Sequence, residues 1–172
     1  MSHTFSLSVA HEAQFDALAA LWEASVRATH DFLTEADIRR LREQVRHLYL
    51  AQVPLRVATD GHGKILGFIG VAGGHVEMLF VAPEARGKGV GRTLLQHAVS
   101  DMGATSVDVN EQNPQAVGFY AHQGFETVGR SALDGEGKPF PLLHMRLGQA
   151  RRAAQDGEQG PAPAAGNAAI NR

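Results

Sequence analysis

Between Val76 and Arg92 the chain reads V-E-M-L-F-V-A-P-E-A-R-G-K-G-V-G-R, a passage that few architectures accommodate. Its apolar run, Val76–Val81, suits a strand in the middle of a sheet. Gly87, Gly89 and Gly91 then alternate immediately before a helix-period segment that carries Leu94, Leu95, Ala98, Val99 and Met102 inward. Alternating glycines let backbone N–H groups converge with no side chain in the way, and a helix N-terminus adds positive partial charge. Strand, turn and helix in this order imply a cradle for a pyrophosphate, with Arg86, Lys88 and Arg92 supplying formal charge at its rim. It is not a P-loop, which needs Gly-Lys-Ser/Thr after four intervening residues. Nor is it a dinucleotide fingerprint, because the spacing is Gly-x-Gly-x-Gly and the strand is about the fourth of its sheet.

The flanking sequence supplies the other elements. Thr4–Val9 alternates Phe5, Leu7 and Val9 against polar residues, the period of a half-buried strand. From His11 to Ala28, Phe15, Leu18, Leu21, Trp22 and Val26 recur at helical spacing. A second helix is expected after Thr34, with a capping box closed by Asp37 and an inner face of Ile38, Leu41, Val45 and Leu48; Pro54 ends it. Leu55–Thr59 and Ile65–Ala72 read as strands joined by the turn Asp60-Gly61-His62-Gly63. Thr105–Val109 is a further strand. Asn113-Pro114 reads as N-cap and first helical residue of a short helix ending near His122–Gly124. Phe125–Ser131 and Pro141–Leu147 form a closing hairpin. The sum is an α/β chain with a mixed sheet, one domain over residues 1–148. Residues 149–172, rich in Ala, Gly, Gln, Pro and Arg, predict a disordered tail.

Totals narrow the function. A length of 172 residues fits one domain, and a formal charge of −2 gives no field to hold nucleic acid or an anionic membrane. The absence of cysteine excludes disulfides, thiolate zinc sites and a cysteine nucleophile. No stretch nears the roughly 20 apolar residues of a membrane span, and no signal peptide opens the chain, so a cytoplasmic location is expected. The histidines follow no metal-ligand spacing, and no metal is expected. The sequence leaves a homodimer open.

Arg86, Gly89 and Gly91 match the Arg/Gln-x-x-Gly-x-Gly/Ala signature of the GNAT N-acetyltransferase family. The order β-α-α-β-β-β-α-β-α-β-β over about Thr4–Leu147 is also similar to that family's. Asn113-x-x-Ala116-x-x-Phe119-Tyr120 followed by Gly124-Phe125 resembles its second signature. Ala28–Leu33, Asn110–Asn113 and Gly137–Leu143 look like the bacterial YjaB-type subgroup.

The resemblance implies acetyl transfer from acetyl-CoA to a primary amine by direct attack in a ternary complex, the acceptor being a small molecule or a peptide. It implies that Arg86, Gly87, Lys88, Gly89, Val90, Gly91 and Arg92 hold the pyrophosphate. Backbone groups around Leu79, Phe80 and Val81 would bind the pantetheine arm, with one N–H, that of Leu79, polarising the thioester carbonyl. Tyr120 takes the family's general-acid position: a phenol of pKa near 10 stays protonated at pH 7 and can give its proton to departing sulfur. Asn113 can cap its helix and also bond the arm.

An alkylamine is almost wholly protonated at neutral pH, so a base or a water chain must deprotonate it. His75 and Glu77, two apart on a strand, share a face opposite Val76, Met78 and Phe80, and either could act through water. The same alternation fits solvated strand-end residues. Asn110 ends the following strand and could orient water or acceptor. Thr29, His30, Asp31 and Phe32 lie where the family builds its acceptor wall, and equally fit a polar turn between helices. The alternative to an enzyme is a CoA-binding sensor or interaction module that retains the cradle without turnover.

Overall fold

Alternating strands and amphipathic helices follow one another in the expected order. The computed structural model describes residues 4–148, so the tail over 149–172 lies outside the described residues. Its strands are β1 (Phe5–Val9), β2 (Leu55–Asp60), β3 (Ile65–Ala72), β4 (His75–Val81), β5 (Ser106–Asn110), β6 (Phe125–Ser131) and β7 (Leu142–Leu147). The helices are α1 (Phe15–Thr29), α2 (Glu35–Gln44), α3 (Val90–Asp101) and α4 (Pro114–His122). The strands form a mixed sheet in the order β1-β2-β3-β4-β5-β7-β6, with β4 and β5 parallel. The chain divides into two compact units. Of the described residues, one takes 4–70 together with Met78–His97; the other takes Val71–Glu77 and 98–148.

In the first unit, α1 buries Leu18, Ala19, Leu21, Trp22 and Val26, the stripe its periodicity marks. Thr34 caps α2: its hydroxyl accepts from the Asp37 N–H at 3.1 Å while the Asp37 carboxylate accepts from the Thr34 N–H at 3.2 Å. The inner face of α2 departs from expectation at its end. Ile38, Leu41 and Val45 are buried, but Leu48 is 44% exposed, and Tyr49 and Leu50 point inward instead. The cause is a π-helical turn over Val45–Tyr49, which inserts one residue into the helical repeat and shifts the inner face by one position before the last turn, Leu50–Gln52. Arg27 and Arg42 pair with Glu23, Arg27 also with Glu35, and Arg46 with Asp16, tying α1 to the second helical segment. These exposed pairs set register more than they add stability. Beneath them Trp22 meets Phe80 edge-on at 6.4 Å between centroids, and Phe80 lies 5.8 Å from Phe68. Gly67 is required by close approach: a Cβ there would come 2.9 Å from the Phe80 carbonyl oxygen and 3.0 Å from a Val90 methyl. β2 and β3 join through Asp60, whose carboxylate accepts from the His62 and Lys64 N–H groups.

In the second unit, β5 pairs parallel with the start of β4, His75 opposite Ser106 and Val76 opposite Val107, and antiparallel with β7, Asp108 opposite His144. Val76, Val107, Val109, Met145 and Leu147 bury the apolar face. The expected α4 begins where Asn113-Pro114 places it: the Asn113 side chain accepts from the Ala116 N–H at 3.2 Å. The β6–β7 ladder carries a bulge between Thr127 and Gly129, beyond which Gly129 opposes His144. The connecting loop folds around buried Asp134, whose carboxylate accepts from Glu136 and Lys138 N–H groups, both at 2.9 Å.

Candidate active site

The glycine loop joins β4 to a helix, and two of its three alternating glycines, Gly87 and Gly89, precede that helix. After β4 a 3-10 turn over Pro83–Ala85 leads into Arg86–Gly89, and α3 starts at Val90, so Gly91 already lies in its first turn. Gly87 and Gly89 have φ of 74° and 82°, a region that other residues enter at a cost, and nothing lies within 4 Å of a Cβ placed on either. An open, side-chain-free backbone therefore leads directly into a helix N-terminus. Arg86, Lys88 and Arg92 are exposed around it, while Val90 is buried as the anchor of α3. Arg86 Nη2 reaches Ser25 Oγ on α1 at 3.4 Å, and partial burial lowers its pKa from the usual value. In the same unit Leu79 and Val81 are half-buried and Phe80 is buried in the aromatic cluster.

The segment after α1 is more enclosed than a polar turn. His30 is 3% exposed; its N–H closes α1 onto the Val26 carbonyl, and its Nδ1 lies 2.6 Å from the Thr29 hydroxyl. The same hydroxyl donates to the Ser25 carbonyl at 2.8 Å. Phe32 sits against the His30 ring at 5.3 Å, whereas Asp31 is exposed. Ser25 thus connects this segment with Arg86.

In the second unit Tyr120 is 3% exposed on α4, its ring edge-on to Phe119 at 5.2 Å and to Phe125 at 5.7 Å. Asn113 is buried at the cap. Asn110 is wholly buried; its carboxamide oxygen accepts from the Gln112 N–H at 2.7 Å, and its Nδ2 has no hydrogen-bond partner among the described residues. A buried unused donor is costly and marks a place where a ligand group would be stabilised.

His75 and Glu77 are not solvated strand-end residues: they are 9% and 6% exposed. Burial lowers the His75 pKa; Asp108 opposes the shift and His144 adds to it, leaving a neutral imidazole at pH 7. Its Nδ1 lies 2.8 Å from Ser106 Oγ and its Nε2 3.6 Å from Asp108 Oδ2. Asp108, His144, Ser106 and Ser131 complete this polar face, and the sequence reading passed over all four. The alternation Ser106, Asp108, Asn110 was visible; that β7 lies beside β5 and brings in His144 was not. Among the described residues no group of His, Asp and Glu could hold a metal ion.

Similarity to known proteins agrees with this architecture. The family model described as an acetyltransferase (GNAT) domain matches residues 9–147. The peptidyl-lysine N-acetyltransferase YjaB of Escherichia coli K12 is 46% identical over 128 residues, covering 74% of this chain and 86% of the relative. The solution structure of apo YjaB from Escherichia coli superposes with a TM-score of 0.77 at 42% identity, covering 84% of this chain and 97% of that one. PaiA N-acetyltransferase from Thermoplasma acidophilum, solved with coenzyme A, shares the fold alone: TM-score 0.68 at 18% identity, 84% and 99% covered. On the strength of the domain match and the YjaB relative, the chain belongs to the acetyltransferase (GNAT) family.

Proposed function

We propose that this N-acetyltransferase moves acetyl from acetyl-CoA to the side-chain amine of a lysine in a peptide or protein, by direct attack in a ternary complex. The observation that carries the reading is the open, positive-φ backbone at Gly87 and Gly89 running into the N-terminus of α3. The YjaB relative, named for its action on peptidyl-lysine, supports the acceptor class.

Bound there, acetyl-CoA supplies an activated acyl carbon and a thiolate leaving group. The N–H groups of the loop receive the pyrophosphate, and Arg86, Lys88 and Arg92 neutralise its charge. Backbone of Leu79–Val81 aligns the arm, and the Leu79 N–H polarises the carbonyl; one such donor is typically worth about 10²–10³ in rate. Tyr120 gives its phenolic proton to the departing sulfur. Glu77 or His75 takes the amine proton through water, the neutral form of His75 being the form able to accept. Asn110 Nδ2 orients that water or the acceptor. Thr29–Phe32 lines the acceptor side, with exposed Asp31 drawing in the lysine cation. The reaction is assigned to a single catalytic domain, residues 1–148, in the cytoplasm.

Thiol release from acetyl-CoA, followed with and without lysine peptides and polyamines, tests the reading. Turnover that depends on lysine peptides is expected. Tight CoA binding with no acceptor-dependent turnover would instead establish a sensor or interaction module.

A further inference from the structure

Ser131, His144 and Asp108 lie on β6, β7 and β5, and acetyl transfer as assigned above uses none of them. Ser131 Oγ is 2.6 Å from His144 Nε2, and His144 Nδ1 is 2.6 Å from Asp108 Oδ1. A carboxylate oxygen accepts, so the partners assign a ring proton to Nδ1 and leave Nε2 to receive the serine hydroxyl. This is the order nucleophile, base, orienting carboxylate. We propose that Ser131 is an activated nucleophile that takes up the acyl group of activated esters, with His144 as its base and Asp108 as the residue that positions His144.

One set of contacts holds the group in place, and two further features leave it open to a reagent. The second carboxylate oxygen of Asp108 faces His75 Nε2 at 3.6 Å, and His75 is in turn fixed by Ser106, so the carboxylate is restrained on both sides. The bulge in β6 sets Gly129 opposite His144, where a Cβ would lie 3.5 Å from the ring; glycine leaves that side of the imidazole uncovered. β6 is an edge strand, the His144 side chain is 36% exposed, and Ala132 and Leu133 beyond Ser131 are exposed, so a small reagent reaches the hydroxyl. Esters with good leaving groups are the class such a site can attack without a dedicated oxyanion pocket.

In the step, Ser131 Oγ bonds to the ester carbonyl carbon as its proton passes to His144 Nε2. The bond from that carbon to the leaving oxygen breaks, and the imidazolium returns the proton to the departing alkoxide or phenolate. The products are O-acyl-Ser131 and an alcohol; water attacking by the same route yields the carboxylic acid and restores the serine.

The test treats the full chain with p-nitrophenyl acetate, follows p-nitrophenolate, and maps the acetylated peptide by mass spectrometry. No CoA is involved, so failure here is separate from failure of the acetyl-transfer reading. Acetyl on Ser131 is expected, absent in Ser131→Ala and formed about tenfold or more slowly in His144→Gln and Asp108→Asn. The Asp108→Asn variant should also move the His144 ring proton from Nδ1 to Nε2, read from ring ¹⁵N–¹H spectra, a change that mere loss of packing would not give. Thermal melts verify that each variant folds; Ser131→Ala, a small change on an edge strand, carries the test if the other two do not. Acetyl found only on other residues, or Ser131 labelled at the wild-type rate in folded His144→Gln, would overturn the proposal.

Discussion

The glycine loop and the polar face of β4, β5 and β7 handle charge in opposite ways. The loop is exposed and offers backbone: Gly87 and Gly89 contribute conformation, and side chains help by being absent. The strand face hides its groups and offers side chains, with His75, Glu77 and Asn110 each under a tenth exposed, His75 braced across strands by Ser106 and Asn110 by the Gln112 N–H of the following turn. A site of the first kind binds an anion through backbone N–H groups and depends on φ. One of the second kind fixes protonation states and depends on which strands are neighbours.

Substitutions can separate the two. Gly89→Asp combines a strained φ with charge repulsion at the cradle, and should abolish CoA binding in calorimetry while the thermal melt persists. Retained micromolar binding would mean that the backbone does not make the anion site. Tyr120→Phe should lower kcat by about 10²–10⁴ with CoA affinity almost unchanged, as loss of a proton donor does; an unaltered kcat in single-turnover experiments would remove Tyr120 from the chemistry. Asn113→Ala should cost about 0.5–2 kcal/mol in urea unfolding through the lost cap, and an effect on CoA affinity as well would show the carboxamide serving both purposes. The smallest effect concerns pH. The His75 pKa is lower folded than unfolded, so its contribution to stability is present above about pH 6.5 and fades as pH falls toward the folded value. His75→Gln should flatten that acid-side decline in denaturation midpoints, and an identical slope would show that burial of the imidazole is not what the protein responds to.

These differences also explain what the sequence could reveal. Gly87 and Gly89 are legible because a backbone requirement is written in consecutive letters, as are the Thr34–Asp37 box and the Asn113-Pro114 helix start. His75 and Glu77 could be placed on one face by counting in twos, but their burial depends on what packs over that face. Asp108 and His144 are 36 positions apart and meet only because β7 inserts between β5 and β6. Leu48 was misplaced for a local reason: a period of 3.6 cannot foresee an added residue in the helix.

That π-helical turn has a further effect on how the helix can vary. Val45–Tyr49 works as a phase adjuster between two rigid rods, one answering to Thr34 and Ile38, the other to Tyr49 and Leu50. Deleting a single residue within it would cancel the insertion and restore a plain α-helix with Tyr49 and Leu50 still facing inward, whereas tightening the turn to α-helix without a deletion would rotate the final turn by about 100° and present Leu48 where Tyr49 now sits. The segment is therefore a place where a one-residue deletion is absorbed with the downstream inward positions kept, whereas the same deletion inside Glu35–Gln44 would scramble the seam formed by Ile38 and Leu41.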